Sequence, residues 1–236
     1  MSRYIFLAGG MEIPVTTKAI LWDMDGVLID SLGLDLVVCN KLLKKYFGDA
    51  VEVSRSYIQS IFAYSVPEFW KMILEKVLRE SSLPDAMEKC QNIIEEYERL
   101  RQAYPFQLCP GVKRVLDDAR SRGLVQAVVS NNPTAQVREI LSNVEIEDDF
   151  AIVVGNDVSV EQKELRKKPA PDTYLFAAAK VGIPPAQCVV VEDSIMGAEA
   201  GKAAGCFVVG VATGGATVDE LKNLGNKVDR VHQSFT

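Results

Sequence analysis

The sequence predicts an α/β protein in which a doubly wound parallel sheet carries an inserted all-helical domain. Three observations predict this fold. Short apolar runs rich in β-branched residues recur along the chain, helical patterns separate them, and residues 32–105 have helical patterns without a clear strand. Continuous apolar strands are typical of a sheet buried on both faces, and strand–helix alternation is typical of parallel sheets.

The predicted elements of the sheet domain follow this alternation. The strands are residues 18–22, 125–129, 151–154, 188–191 and 206–209, with a last strand at 228–231. Helical patterns cover residues 112–120, 133–141, 171–181 and 195–204. Three of these helices are followed by a glycine, Gly123, Gly182 or Gly205, which favours a helix C-terminus there.

The long helical segment is predicted to be a separate domain. Amphipathic patterns cover residues 32–47, 66–78 and 84–100, and their apolar stripes are expected to form a core. The main domain then comprises residues 18–31 and 106–236, and the insert comprises 32–105. We expect residues 1–17 to be a flexible or loosely docked leader of uncertain structure.

Composition excludes several classes of protein. The net charge of −6 argues against a nucleic-acid partner, because an acidic chain repels phosphate backbones. No apolar run reaches the roughly 18 residues of a membrane helix, so no membrane partner is expected. The five scattered cysteines are typical of free thiols in a reducing compartment, so we expect a cytoplasmic protein. We expect a monomer or a weak homodimer.

The chain has a single histidine, His232. A Ser-His or Cys-His mechanism would have to use that residue, and a site with several histidines around a metal is excluded. We expect His232 to be a surface residue beside the last strand rather than a catalytic group.

Polar residues follow the predicted strands at the edge where an open α/β sheet binds ligands. Asp23 and Asp25 follow the first strand, Ser130, Asn131 and Asn132 the second, Lys168 the loop after the third, and Glu192, Asp193 and Ser194 the fourth. Each position has a structural alternative: a turn acid for the first pair, a helix cap for Ser130 and Asp193, and a surface residue for Lys168. Their coincidence at one edge favours a functional site.

Together these residue types suit hydrolysis of a phosphate monoester. A carboxylate can attack phosphorus, and oxygen-rich acids bind magnesium. A lysine supplies a point charge to the phosphoryl group, and a serine hydroxyl can donate to its oxygens.

The four motifs, taken in order, resemble the haloacid dehalogenase superfamily over nearly the whole chain after residue 17. They are Asp23-Met24-Asp25-Gly26-Val27-Leu28-Ile29-Asp30-Ser31, Ser130-Asn131-Asn132, Lys168-Pro169-Ala170-Pro171-Asp172, and Val190-Val191-Glu192-Asp193-Ser194 with Gly197 and Ala203-Ala204-Gly205. The insert resembles the family's first-type cap, a domain that closes over the substrate. The resemblance implies a Rossmann-like core and a magnesium-dependent phosphatase.

The resemblance also implies residue roles. Asp23 is implied as nucleophile and Mg²⁺ ligand, and Asp25 as general acid/base that binds the metal through its carbonyl. Asp193 is implied as a further ligand, with Glu192 a ligand or a partner of the ligands. Ser130, Asn131 and Lys168 are implied as phosphate binders, and Gly197, Gly201 and Gly205 as sites of close packing between helix and sheet.

Branches of this family differ at two positions. Dehalogenases lack the second acid of the first motif, so Asp25 favours phosphoryl transfer. The β-phosphoglucomutase branch shares the pattern but has a histidine five residues after the position of Asp30, where this chain has Asp35. We therefore predict hydrolysis of a small phosphorylated metabolite, of the sugar phosphate or phosphoglycolate type, and expect Asp35 to face solvent or to pair with Lys41.

Two alternatives to a phosphatase remain open from the sequence. One is a β-phosphoglucomutase-like phosphotransferase. The other is a catalytically inactive binding protein on the same fold, which the presence of Asp23, Asp25, Lys168 and Asp193 disfavours.

Overall fold

The computed structural model describes residues 3–62, 64, 66–81, 89–160 and 163–236. The chain divides into two compact units, one formed by Met1–Asp30 with Phe106–Thr236 and the other by Ser31–Pro105. The first unit is therefore discontinuous in sequence, because the second is inserted into it.

The first unit is built on a six-stranded sheet in which every neighbouring pair is parallel. The strands are β3 (Ala19–Trp22), β4 (Val125–Val129), β5 (Ile152–Val154), β8 (Cys188–Glu192), β9 (Phe207–Val211) and β10 (Arg230–His232). Their order across the sheet is β10-β9-β8-β3-β4-β5. All residues of β3 and β8 are buried, as expected for a sheet covered on both faces. The predicted fold class is therefore confirmed.

Helices cover both faces of this sheet. They are α5 (Val112–Ser121), α6 (Thr134–Asn143), α7 (Asp172–Val181), α8 (Ile195–Ala203) and α9 (Val218–Asn223). Apolar residues of α5 and α6 pack with Ile20 and Trp22 on one face, and those of α7 and α8 pack with Ala19 and Leu21 on the other. The sequence pattern missed the short α9, which begins with a capping box between Thr217 and Glu220.

The leader is a docked hairpin, so the expectation of a loosely attached segment was wrong for residues 3–17. Strand β1 (Tyr4–Phe6) pairs antiparallel with β2 (Glu12–Pro14). Met11 and Ile13 are buried in the main core. The turn between the strands contains Gly9 at φ +70°, where an added Cβ would lie 2.3 Å from the carbonyl oxygen of Phe235. The C-terminal segment therefore holds the leader in place.

Another short hairpin joins β6 (Ser159–Val160) to β7 (Lys163–Glu164), and the sequence pattern did not predict it. His232 lies at the end of β10 and is partly buried, so the expectation of a surface residue was inaccurate. Burial lowers the pKa of its imidazole.

The second unit is helical where the structure describes it. Its helices are α1 (Ser31–Phe47), α2 (Arg55–Ile61), α3 (Val66–Ser81) and α4 (Cys90–Ala103). The start of the predicted helix 84–100 lies outside the described residues. The rings of Phe69, Trp70 and Tyr97 pack together in the core, with their centres within 6.1 Å of one another. Across the described ranges of both units, no helix is long and apolar enough to span a bilayer.

Asp35 does not face solvent or pair with Lys41. Its carboxylate accepts a 2.8 Å hydrogen bond from Arg101 Nε, and its side chain is 7% exposed. Lys41 instead donates to the Tyr104 hydroxyl at 3.0 Å. Arg101 follows Asp35 by 66 residues, so only the packing of α1 against α4 could reveal this pair.

Candidate active site

Asp23 occupies the end of the central strand β3. Its backbone N–H donates to the carbonyl of Val191 at 3.0 Å, which extends the pairing with β8 to this residue. The chain then turns sharply through Gly26, at φ +80°, where a Cβ would lie 2.3 Å from Asp193 Oδ2. Only glycine fits here without strain, because the left-handed conformation and the close approach both exclude a side chain.

Lys168 lies inside the site with its side chain 4% exposed. Its ammonium donates to Asp23 Oδ1, to the carbonyl of Val129 at 2.9 Å and to Glu192 Oε1 at 2.7 Å. Burial lowers the pKa of this amine, but the neighbouring Asp23 and Glu192 outweigh burial and hold it above its ordinary value. Lys168 is therefore a permanent cation held by three acceptors.

Glu192 is fully buried and accepts hydrogen bonds on both carboxylate oxygens. Oε1 accepts from Lys168 and from the Tyr174 hydroxyl, each at 2.7 Å, and Oε2 accepts from Ser194 Oγ at 3.0 Å. Burial, followed by the charge of Glu192, raises the pKa of Tyr174 and keeps its hydroxyl a donor. The carboxylate of Glu192 is thus fixed in one orientation.

The glycines of α8 have different environments. A Cβ on Gly197 would lie 1.8 Å from the Glu192 carboxylate, whereas one on Gly201 would lie 2.9 Å from Val190. Gly205 has φ +83° and follows the end of the helix. Gly197 and Gly201 therefore both lie where α8 packs closely on β8, and Gly197 also makes room for a site carboxylate.

Asp193 is held by the loop that follows β9. Its Oδ2 accepts from the backbone N–H of Gly215 at 2.5 Å, and its carbonyl accepts from Ala216 N at 2.8 Å. A Cβ on Gly214 would lie 2.0 Å from the same carboxylate. The glycine pair therefore lets this loop wrap closely around Asp193.

The carboxylates of Asp23, Glu192 and Asp193 form a group with ligand atoms within 4.8 Å of one another. Burial and the charge of Glu192 raise the pKa of Asp23 well above its ordinary value and that of Asp193 to about 8. The positive charge of Lys168 offsets one of the three negative charges that these carboxylates carry when they are ionised. Full ionisation of the group would leave an excess of negative charge, and a hard divalent cation suits such a group of oxygen donors because it would neutralise that charge.

Ser130 and the two asparagines that follow it form the neighbouring wall. Ser130 is 2% exposed, and its hydroxyl accepts from Asn132 N at 3.1 Å. The Asn131 amide oxygen accepts from the backbone N–H of Lys168 at 3.4 Å. The Asn132 amide donates to Asp25 Oδ2 at 2.6 Å. The strand ends therefore come together as the parallel sheet predicts.

Comparison with known proteins decides the family. Residues 17–205 match the family of haloacid dehalogenase-like hydrolases. This chain belongs to that family. The predicted membership is therefore confirmed.

Curated relatives are similar in sequence to this chain over most of its length. A phosphoglycolate phosphatase from Nitrosospira multiformis is 29% identical over 204 residues, which cover 86% of this chain and 87% of the relative. A beta-phosphoglucomutase from Bacillus subtilis is 29% identical over 202 residues, with 84% of each chain covered. A crystal structure of a haloacid dehalogenase family hydrolase from Deinococcus radiodurans, with bound phosphate and sodium, superimposes with a TM-score of 0.71. It is 24% identical, over 93% of this chain and 92% of the other, which establishes the shared fold.

The hydrolase site combines residues that the sequence predicted with others that it missed. Asp23, Lys168, Glu192 and Asp193 lie in one cluster, while the Asp25 carboxylate is held by Asn132 and is not a member of the carboxylate group. The sequence placed Asn132 at this edge without assigning it a role, and it missed Tyr174 and Gly215. These three residues hold Asp25, Glu192 and Asp193 respectively. The sequence signals were a second amide two residues after Ser130, an aromatic residue on the helix after Lys168, and a glycine pair after β9.

Proposed function

We propose that this chain is a magnesium-dependent phosphatase that hydrolyses a small phosphorylated metabolite through a phosphorylated Asp23. The observation that carries the proposal is the buried contact between the Asp23 carboxylate and the Lys168 ammonium, beside Glu192 and Asp193. A carboxylate nucleophile next to a permanent cation and two further acids is suited to attack on an anionic phosphoryl group.

The first half-reaction transfers the phosphoryl group to the protein. Lys168 fixes Asp23 through Oδ1, and Oδ2 is the oxygen that attacks phosphorus. The bond between phosphorus and the leaving oxygen breaks, and Asp25 donates a proton to that oxygen. The charge of Lys168 and the hydroxyl of Ser130, which already accepts a bond from Asn132 N, stabilise the phosphoryl oxygens.

The second half-reaction restores the carboxylate. Asp25 takes a proton from water as the water oxygen attacks phosphorus, and the bond between phosphorus and Asp23 breaks to release phosphate. The residues that would hold Mg²⁺ are Asp23, Asp193 and, through its carbonyl, Asp25, with Glu192 bound mainly to Lys168 and Tyr174. A bound magnesium ion supplies positive charge that brings anionic substrate and carboxylates together.

The relatives support a phosphorylated metabolite of the sugar phosphate or phosphoglycolate type, because two of them are named phosphoglycolate phosphatase and beta-phosphoglucomutase. A cytoplasmic location, a monomer or weak homodimer, and the role of residues 32–105 as a cap stay predictions. The thiols of Cys39, Cys90, Cys188 and Cys206 are free, which is compatible with a reducing compartment.

A second candidate is a β-phosphoglucomutase-like phosphotransferase, favoured by the relative of that name. Asp35, at the position where those mutases are implied to have histidine, is bound to Arg101. We therefore expect hydrolysis. A coupled assay with glucose 6-phosphate dehydrogenase separates the two candidates, since a mutase would form glucose 6-phosphate from β-glucose 1-phosphate with little free phosphate.

The proposal is tested by measuring phosphate release from p-nitrophenyl phosphate and from a panel of phosphorylated metabolites. Activity should vanish in excess chelator and return with magnesium, and calcium should inhibit because its looser coordination misplaces the nucleophile. Full activity in excess chelator would contradict the metal dependence. An inactive wild-type protein would favour a binding role on the same fold.

A further inference from the structure

The amide of Asn132 contacts the acid that the proposed mechanism uses for proton transfer. Asn132 Nδ2 donates to Asp25 Oδ2 at 2.6 Å, which is short for a nitrogen donor. Hydrogen bonds to a charged acceptor are about twice as strong as neutral ones, so this contact restricts the carboxyl group. Both residues are partly buried, which limits competition from water.

The backbone of Asn132 is itself fixed at both of its polar atoms. Its N–H donates to Ser130 Oγ at 3.1 Å, and its carbonyl accepts from Asn156 N at 3.0 Å. Pro133 follows with φ −58° and restricts the conformation of Asn132 further. The side-chain amide therefore starts from a rigid point at the end of β4.

The neighbouring asparagine has a different contact. The amide oxygen of Asn131 accepts from the backbone N–H of Lys168, and Asn131 is exposed. Two consecutive residues of the same type thus hold two different parts of the site, the Lys168 loop and the Asp25 carboxylate. Asn131 is therefore a matched control for Asn132.

We propose that Asn132 is a positioning residue that directs Asp25 through both half-reactions. An amide N–H donates whether Asp25 is protonated or ionised, and it cannot accept the transferred proton. The hydrogen bond to Oδ2 can therefore persist while Asp25 gives a proton to the leaving oxygen and later takes one from water. This inference rests on the proposed function, in which phosphorylated Asp23 is hydrolysed with the help of Asp25.

The test uses the full chain with Asn132→Ala and p-nitrophenyl phosphate in a stopped-flow instrument. Because p-nitrophenolate leaves without protonation, phosphorylation of Asp23 should proceed at nearly the wild-type rate. Hydrolysis still needs Asp25 and should slow by about 10- to 100-fold, toward the lower end of the usual scale of acid–base catalysis. The expected result is a burst of p-nitrophenolate, close to one equivalent per enzyme, before a slower steady state.

A poor leaving group supplies a second readout. With an alkyl phosphate such as glycerol phosphate, both half-reactions need Asp25, so Asn132→Ala should be slow without a burst. The inhibition constant of orthophosphate should stay within about twofold of the wild type, because a positioning residue does not bind the phosphoryl group. Asn131→Ala should show no burst with p-nitrophenyl phosphate, whatever its KM.

Several outcomes would overturn the inference. Asn132 does not act through Asp25 if Asn132→Ala has wild-type steady-state kinetics. The same conclusion follows if the variant shows no burst and orthophosphate inhibits it about tenfold more weakly. If the alanine variant fails to fold, Asn132→Asp gives the same test, because the new side chain has the same size and its negative charge repels Asp25. A wild-type enzyme without turnover would refute the proposed function itself, and this inference with it.

Discussion

The Tyr174 hydroxyl donates to the same oxygen of Glu192 that accepts a hydrogen bond from the Lys168 ammonium. The ammonium also lies 4.8 Å from the centre of the Tyr174 ring. Tyr174 therefore supports Lys168 twice, directly through its ring face and indirectly through Glu192. All three side chains are buried, so loss of one contact leaves a polar group that bulk water cannot reach to replace the lost hydrogen bond.

Replacing Tyr174 separates these two contributions. Tyr174→Phe keeps the ring and should lower the free energy of unfolding by about 1–3 kcal/mol, because buried Glu192 loses a donor. We expect kcat/KM to fall roughly tenfold, equivalent to about 1.4 kcal/mol, as Lys168 becomes less firmly held. Tyr174→Leu also removes the ring face, so it should lose more stability and more activity than Tyr174→Phe. Urea denaturation and steady-state kinetics measure both effects.

A matched control is Tyr46→Phe, whose hydroxyl donates to Glu96 at 3.0 Å in the helical unit. Its free energy of unfolding should change by no more than about 0.5 kcal/mol. Wild-type stability and kinetics in Tyr174→Phe would contradict the supporting role of its hydroxyl.

Two glycines on the same helix should respond differently to alanine. Both substitutions gain about 1 kcal/mol of helix propensity, but Gly197→Ala places a Cβ 1.8 Å from the Glu192 carboxylate. That carboxylate must shift, so activity should fall by roughly tenfold or more. Gly201→Ala meets Val190 instead, so it should cost about 1–3 kcal/mol of stability with little change in kcat. Equal activity in the two variants would contradict the assigned contact.

The carboxylate group predicts a pH dependence of stability in the metal-free protein. Asp193 has an ordinary pKa of 3.8, which folding raises to about 8. The folded state therefore keeps a proton that the unfolded state has lost, and stability falls as the pH rises between these two values. Asp193→Asn should reduce this fall and leave the part that the raised pKa of Asp23 contributes, and magnesium should restore the stability of the wild type at about pH 8. Denaturation in chelator measures the difference between wild type and variant across this range, and parallel curves for the two proteins would contradict the account.

Much of the site was predictable because it follows from parallel topology. Asp23, Ser130 and Asp193 follow strands whose carboxyl ends must meet, so their chemistry could be combined from the sequence alone. Lys168 was predictable only through its motif, since it lies in a loop. The strands themselves were evident because short, uninterrupted β-branched runs between helical patterns are typical of buried parallel strands.

The remaining features depend on contacts between distant residues. Tyr174 looks like an ordinary core residue of an apolar helix, and only its distance to Glu192 gives its hydroxyl a role. The leader has short strands and glycines, and its residues Leu7, Met11 and Ile13 are buried against a core assembled by the rest of the chain. Asp35 and Arg101 are 66 residues apart, so no local pattern relates them.

Asp23 is proposed to carry the phosphoryl group during turnover, and trapping of that intermediate tests the mechanism most directly. The enzyme is mixed with p-nitrophenyl phosphate and magnesium, quenched in acid within the steady state and reduced with borohydride, which converts an aspartyl phosphate to homoserine. Peptide mass spectrometry then locates the modified residue, with Asp23→Asn as control. We expect homoserine in place of Asp23 in the wild type and no turnover in Asp23→Asn. An unmodified Asp23 in an active enzyme, or near-normal turnover in Asp23→Asn, would contradict it.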